Sequence, residues 1–508
     1  MTEAADLLLT NAEVHTLARP DETHEAVAVR DGEIVRVGSA YELDFLAGVE
    51  TRTVDLDGRV LLPGFVDAHT HLSMVGRALV HADLSGASGP AECASRLQAR
   101  ADEVAAGEFV LGFRYDESEW DESRYLTRDD LDDVDAAGPV VAFREDLHVA
   151  ALDSTALDRL LPESPDRGVR RENGEPTGVV VGGALDSVYA AIEPDAAEMH
   201  ELLTVAQAEA NARGVTGVHD VVRGSRAPEV YRDLDREGEL TLRVRLNYWS
   251  DHLDALVEAG LHTGHGTDMV EVGAIKTYTD GTIGGRTAKL SEPYDDAEGA
   301  GEWVVPPAEF RDILAAAEDA GFQVAAHAIG DVAVDAVLNA YASSGRGARH
   351  RVEHLELASD DAVARIADLD VVASVQPNFL KWGGDDGLYA ARLGDRWTDA
   401  NRFRALADAG ATLAFGSDCM PLAPLYGVHQ TVNAPVESQR LGVTEALRAY
   451  TLGAAYAGFD EGRLGTIEAG KRADLVALDR SPWAQPDAIA DLDVAVTVVD
   501  GRLVYDDR

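Results

Sequence analysis

An apolar run that ends in two histidines lies near the start of the chain: Leu62-Pro63-Gly64-Phe65-Val66-Asp67-Ala68-His69-Thr70-His71. Such a run is typical of a buried β-strand. Because side chains alternate across a strand, His69 and His71 project from the same face. Their Cα atoms then lie about 6.5–7 Å apart, so both imidazoles can reach one metal ion at about 2.0–2.1 Å. The alternative, two polar residues on a half-exposed strand, explains the preceding apolar residues poorly.

Further along the chain, apolar runs alternate with helical patterns, which is typical of βα units. Eight of these runs are predicted strands, the number that closes a (β/α)8 barrel, so the expected fold class is α/β. The strands are predicted to end near His71, His219, Tyr248, Lys276, His327, His354, Gln376 and Asp418. In such a barrel the carboxyl ends of all strands face one opening, where active sites lie.

Four of these strand ends carry further candidates for metal chemistry. Lys276 closes a buried run, where an ammonium group is costly unless it is paired or chemically altered. Either Lys276 extends to the barrel rim, or carbon dioxide converts its amine to a carbamate that bridges two metal ions. His327 and His354 end successive strands, and the pair favours metal binding over a structural role. Asp418 is either a helix N-cap or a metal-bound base.

The rest of the chain predicts two additions to the barrel. Short strands at both ends predict one β-sandwich built from residues 1–63 and 461–508, around a barrel domain of residues 64–460. The gap between His71 and His219 is too long for one βα unit. Residues 83–209 are therefore predicted to be an insertion that forms a lid, with strands of its own at 109–115 and 140–144.

These motifs resemble those of the amidohydrolase superfamily, in particular the branch of metal-dependent hydrolases that includes N-substituted formamide deformylases. The resemblance covers nearly the full chain. Besides residues 62–71, it is carried by residues 214–220, 275–276, 280–288, 327–331, 350–354, 373–377, 415–418 and 470–476.

The resemblance implies a binuclear site with Zn²⁺ as the expected metal. The two histidines of the first barrel strand, together with Asp418, would hold the more buried ion. His327 and His354 would hold the more exposed ion, and a carbamate on Lys276 would bridge both. One departure from the family pattern affects the substrate: Cys419 follows the aspartate where relatives usually carry a tryptophan.

The predicted activity is hydrolysis of a C–N bond of amide or formamide type, other than a peptide bond, in a small molecule by a metal-bound hydroxide. Asp418 is the predicted catalytic residue, which accepts a proton from the nucleophile and passes it to the leaving nitrogen. His219, Arg286 and His148 are candidates for substrate contact, and each has a structural alternative. Two other functions stay open: a mononuclear-metal deaminase, against which Lys276 argues, and a non-catalytic barrel protein.

The composition bears on partners and location. The chain has 91 acidic and 44 basic residues, a net charge of −47, which disfavours nucleic acid and anionic membranes as partners. Because the acids are dispersed, we expect a halophilic protein that stays soluble in high salt. Two cysteines cannot form a disulfide framework and fit a cytoplasmic location. Neither a long apolar span nor a signal peptide is recognised, and a homodimer is the default assembly.

Overall fold

The computed structural model describes residues 4–19, 22–160, 168–345 and 347–508. Its central element is a sheet of eight parallel strands, in which neighbours in sequence are neighbours in the sheet. In chain order they are β1 (Phe65–Thr70), β2 (Val215–Val222), β3 (Arg243–Trp249), β4 (Val270–Tyr278), β5 (Val324–Ala328), β6 (Arg351–His354), β7 (Val372–Val375) and β8 (Leu413–Phe415).

The sheet closes where the segment after β8 meets β1. The backbone N–H of Asp418 donates to the carbonyl oxygen of His69 at 2.7 Å, and the N–H of Ser417 donates to the Asp67 carboxylate at 2.9 Å. A Cβ atom on Gly416 would lie 2.4 Å from the backbone nitrogen of His69, so this close approach requires glycine. The predicted (β/α)8 barrel is therefore confirmed.

Helices occupy the connections between the barrel strands. Pro307–Asp319, between β4 and β5, buries Phe310, Leu314 and Ala317, which lie on one helical face. The described α-helices are Ala40–Leu43, Leu72–Val80, Pro90–Ala101, Arg128–Leu131, Ser154–Leu160, Leu185–Ala191, Ala196–Ala212, Ala227–Glu237, Leu253–Glu258, Pro307–Asp319, Asp331–Tyr341, Asp360–Asp368, Leu388–Leu393, Phe403–Asp408, Pro424–Val432, Val443–Arg448 and Ala454–Ala457. None of these helices has the length and apolar character needed to cross a membrane.

Both ends of the chain contribute to a β-sandwich, as predicted. One sheet contains Glu33–Gly38, Ala26–Arg30, Leu7–Thr10 and Arg52–Asp55, and the other contains Arg502–Asp506, Val494–Val499, Leu475–Leu478, Val60–Pro63, Glu13–His15 and Thr23–His24. Apolar side chains from both sheets share one core, in which Leu9 and Val27 meet Leu61, Leu475 and Val496. Alternate residues along these strands, such as Leu7 and Leu9 or Val496 and Val498, face that core.

The described residues form two compact units. One comprises the described parts of residues 1–71, 207–224 and 231–508, and the other comprises those of residues 72–206 and 225–230. The second unit has a sheet with strands Val169–Glu172, Glu175–Val181, Val149–Leu152, Val140–Arg144, Val110–Tyr115 and Ala82–Asp83. It begins earlier than the insertion expected at residues 83–209, and the predicted domain boundaries stay predictions.

Buried ion pairs join the carboxyl-terminal strands to the amino ends of the barrel strands. Arg243, the first residue of β3, donates to Asp474 at 2.6 Å and to Asp500 at 2.9 Å. Arg245 pairs with Asp460 at 2.7 Å and with Glu271 at 3.0 Å. Removing one partner of such a pair would leave a buried charge uncompensated and destabilise the fold.

Candidate metal centre

Three predicted ligands meet at the carboxyl ends of β1, β6 and β8. One potential ligand atom from each of His69, His354 and Asp418 lies within 4.8 Å of the other two. The Asp418 Oδ1 atom is 3.3 Å from His71 Nε2 and 3.8 Å from His69 Nε2. Bonds of about 2.0–2.2 Å from nitrogen or carboxylate oxygen would let one ion bind donors at these separations.

The His327 ring lies beside this group, next to the end of β5. Its centroid is 4.4 Å from the centroid of His354, which is 4.9 Å from that of His69. The imidazoles of β1, β5 and β6 therefore form one cluster at the same end of the barrel.

Lys276 lies within the same end of the barrel on β4. The residue is 1% exposed, and its Nζ atom lies 4.6 Å from the ring centroid of Tyr278 and 5.5 Å from that of Trp249. In the part of the chain that the structure describes, no salt bridge is made to this amine. Burial lowers the pKa of Lys276 to about 8, so a substantial fraction of the amine is neutral near physiological pH.

Two of the four imidazoles are oriented by side chains from other parts of the barrel. Nδ1 of His69 makes a very short hydrogen bond with the Glu353 carboxylate, and Nδ1 of His354 lies 2.8 Å from Oε1 of Gln376. With a proton on Nδ1, each neutral ring has its lone pair on Nε2. Partners of this kind fix the tautomer and direction of metal-binding histidines.

Backbone carbonyl oxygens orient the other two imidazoles. Nδ1 of His71 lies 3.3 Å from the oxygen of Val221, and Nε2 of His327 lies 3.1 Å from the oxygen of Gly281. With these nitrogens protonated, His71 presents Nε2 and His327 presents Nδ1 as the second ring nitrogen.

The donor atoms of this site fit a metal ion. His354 Nε2 is buried and has no hydrogen-bond partner among the described residues. A buried acceptor of this kind costs free energy unless something binds it. Neutral imidazoles together with a carboxylate are the ligands that Zn²⁺ and other divalent transition metals prefer.

The charge states of the site also suit cation binding. Burial lowers the pKa of His354 to about 3, so its ring is neutral at physiological pH. Burial would by itself raise the pKa of Asp418, but its contact with His71 holds that pKa well below its ordinary value. The site therefore presents a carboxylate together with the neutral ring of His354.

His219 is not brought to this end of the barrel. It lies within β2, three residues before the strand ends at Val222. Its Nδ1 accepts a hydrogen bond from Arg351 at 2.8 Å, and it lines a small cavity with Arg243 and Arg245 at the amino ends of the strands. Substrates of such barrels bind at the opposite end, so the position of His219 does not support the predicted substrate contact.

Arg286 and His148, the other two candidates for substrate contact, have different surroundings. Arg286 follows β4 and forms a two-pronged ion pair with Asp296, at 2.9 and 2.6 Å, which Arg392 also contacts. His148 is exposed and belongs to the second compact unit, in the turn before the strand Val149–Leu152. Their predicted roles stay predictions.

Sequence reasoning missed two residues beside the metal-binding candidates. Glu353 is fully buried and contacts His69, although strand alternation places it on the face opposite His354. Both side chains approach the site because the backbone turns at the end of β6, where His354 has a φ of 72° and Leu355 a φ of 49°. Asp280 accepts backbone N–H groups of Ile329 and Gly330 and lies 3.5 Å from a histidine ring. Its position four residues after Lys276, among the residues 280–288 that carry the family resemblance, was the sequence signal that could have identified Asp280.

Comparison with known proteins gives consistent matches over the whole chain. The model of the amidohydrolase family matches residues 52–505. Protein LONG AFTER FAR-RED 3 of Arabidopsis thaliana is 30% identical, with 99% of this chain and 92% of that protein aligned. The N-substituted formamide deformylase of Arthrobacter pascens is 28% identical, with 100% and 99% aligned. An uncharacterized metal-dependent hydrolase of Pyrococcus horikoshii has a TM-score of 0.80 and 29% identity, covering 94% of this chain and 98% of that one.

Proposed function

The chain belongs to the amidohydrolase family, and from this premise we propose that it hydrolyses a C–N bond of amide or formamide type, other than a peptide bond, in a small molecule. The observation that carries the proposal is the group of imidazoles, carboxylate and buried amine at the carboxyl ends of the strands. A relative named as an N-substituted formamide deformylase supports the choice of bond.

We propose that two divalent ions, most simply Zn²⁺, bind at this centre. His69 and His71 would hold one ion together with Asp418, and His327 and His354 would hold the other. The separations between His69, His354 and Asp418 support a shared site for ions at this end. When bound, such ions lower the pKa of a water molecule and polarise a substrate carbonyl.

Lys276 is proposed to bridge the two ions as a carbamate. Its neutral amine nitrogen would attack the carbon of carbon dioxide, forming an N–C bond while one C=O electron pair moves to oxygen and a water molecule takes one proton from the nitrogen. The product is an anionic group with two oxygen ligands. Burial supports this reaction, because it lowers the pKa of Lys276 to about 8 and no salt bridge within the described residues holds its proton.

Asp418 is the proposed catalytic residue. Its carboxylate is ionised and lies close to His71 and His69, so it can accept a proton from an attacking water molecule and return it to the leaving nitrogen. Only 15% of its side chain is exposed, which limits competition from bulk water. A mononuclear deaminase is supported less well, because it leaves the buried amine of Lys276 without a role.

We also propose that the protein works in a salt-rich cytoplasm. Support comes from the net charge of −47, which is spread along the chain rather than concentrated in one tail. Counterions at high concentration would screen the resulting repulsion.

The test combines metal analysis with an assay on defined substrates. The protein would be purified in concentrated KCl with bicarbonate, its metal content measured by mass spectrometry, and hydrolysis followed with N-substituted formamides and N-acyl amines. Two ions per chain and release of formate or another acid are expected. One ion per chain with release of ammonia from an amino-substituted ring would instead establish the deaminase, and no metal after reconstitution would contradict both enzymes.

A further inference from the structure

Beneath the proposed metal ligands lies a buried ion pair for which the proposed reaction has no use. Arg351 and Glu353 are 1% and 0% exposed and project from the same face of β6. The guanidinium group donates to both carboxylate oxygens, from Nε at 2.7 Å and from Nη2 at 3.1 Å. Two parallel contacts of this kind fix the carboxylate in orientation as well as in place.

The remaining donors of Arg351 tie this pair to three other strands. Nη2 also donates to the carbonyl oxygen of Ala68 on β1 at 2.6 Å and to Ser374 Oγ on β7 at 2.9 Å. Nη1 donates to His219 Nδ1 on β2 at 2.8 Å. The guanidinium therefore cannot shift without breaking contacts to four strands.

The Glu353 carboxylate, fixed by Arg351, contacts one imidazole, that of His69. Oε2 of Glu353 accepts a hydrogen bond from Ser374 Oγ at 2.7 Å and a very short one from His69 Nδ1. The acceptor holds the proton on Nδ1, so the lone pair of His69 lies on Nε2, 3.8 Å from Asp418.

We propose that Arg351 and Glu353 are positioning residues that hold His69 in the tautomer and orientation required to bind a metal ion. This inference rests on the metal site of the proposed function. A buried ion pair contributes little net stability compared with apolar residues of the same volume, so stability alone does not explain it. The directed hydrogen bond to His69 is the consequence that apolar residues could not supply.

A second carboxylate–histidine pair, Glu318 with His350, provides a matched control. Glu318 contacts Nε2 of His350 at 3.0 Å, and Nδ1 of that ring accepts the backbone N–H of Val324. This carboxylate–histidine pair resembles the first one chemically, but His350 is not among the proposed ligands. Glu318→Gln therefore removes the same type of contact without affecting the metal centre.

The experiment measures zinc affinity of the full-length apoprotein by competition with a chromophoric chelator, and needs no substrate. In Glu353→Gln, the amide NH₂ can face His69 and favour the tautomer with the proton on Nε2. We expect the zinc affinity of this variant to fall about 10–100-fold, and that of Glu318→Gln to stay within about twofold of the parent. Nitrogen NMR of labelled histidines should show the loss of one Nδ1–H tautomer only in Glu353→Gln.

A second variant covers the case in which Glu353→Gln does not fold because Arg351 is left unpaired. Arg351→Met combined with Glu353→Leu removes both charges of the pair together, so neither is left unpaired, and the variant is expected to fold. Its zinc affinity should fall by the same factor. Parent-like affinity in either folded variant, or an equal loss in Glu318→Gln, would overturn the proposal. If the parent binds zinc and the variants do not, but no amide is hydrolysed, the positioning role stands while the proposed reaction fails.

Discussion

Replacing Asp418 with asparagine is expected to abolish most hydrolysis while the protein keeps its metal ions. The amide retains the shape and one oxygen ligand of the carboxylate but cannot accept a proton. Removal of a general base typically costs a factor of about 10²–10⁴. Because only 15% of the side chain is exposed, solvent replaces it poorly. The expected loss is therefore in the upper half of the range, about 10³–10⁴-fold, or about 4–5.5 kcal/mol of transition-state stabilisation.

The assay compares kcat/KM and metal content of parent and variant in the same KCl buffer. Asp474→Asn is the control, because Asp474 is a buried carboxylate paired with Arg243 at the amino ends of the strands. It should lower the thermal stability but leave kcat of the folded enzyme within about twofold. More than a tenth of the parental activity in Asp418→Asn would show that another group accepts the proton. Loss of the metal ions from this variant would refute the assignment of the effect to proton transfer.

Three further outcomes are expected from the charges and the burial of single side chains. Lys276→Ala should lose activity and regain part of it when acetate is added, because a free carboxylate can supply the two oxygens of the carbamate. If activity does not recover although both ions are still bound, the proposed carbamate bridge is contradicted. Raising KCl from 0.1 to 1 M shortens the electrostatic screening length from about 10 to about 3 Å. Because repulsion between the acidic side chains then weakens, the unfolding temperature measured by circular dichroism should rise. A fall in the unfolding temperature would argue against the high-salt proposal. Burial lowers the pKa of His81 from 6.5 to about 4, so the unfolded chain binds this proton first as the pH falls. The free energy of unfolding should therefore decrease between pH 6.5 and 4, by up to about 3 kcal/mol, and denaturant titrations of His81→Gln should lack this part of the slope.

The strands and their order could be predicted from the sequence because the signals are local. The strands Ala26–Arg30 and Glu33–Gly38, for example, are separated by Asp31-Gly32, a local turn signal between two apolar runs. All eight barrel strands end within three residues of the predicted positions. An apolar run of limited length that stops at a polar residue can be read without knowledge of its neighbours.

The surroundings of the site could not be predicted in the same way. Strand alternation separates Glu353 from His354, and only the left-handed backbone at His354 brings both side chains to the same centre. Alternation also cannot show how far a strand continues past a given residue. Because β2 extends to Val222, His219 lies among the barrel-filling side chains next to Arg351.

The sequence alone determined the barrel, the sandwich built from both chain ends and the set of candidate metal ligands, because each depends on residue type and on periods along one strand. The tertiary structure decided which of these groups meet and what orients them. Contacts such as His69 with Glu353, separated by 284 positions in the chain, depend on the register between strands and on where each strand ends. These quantities are set by packing of the closed barrel and have no local signal in the sequence.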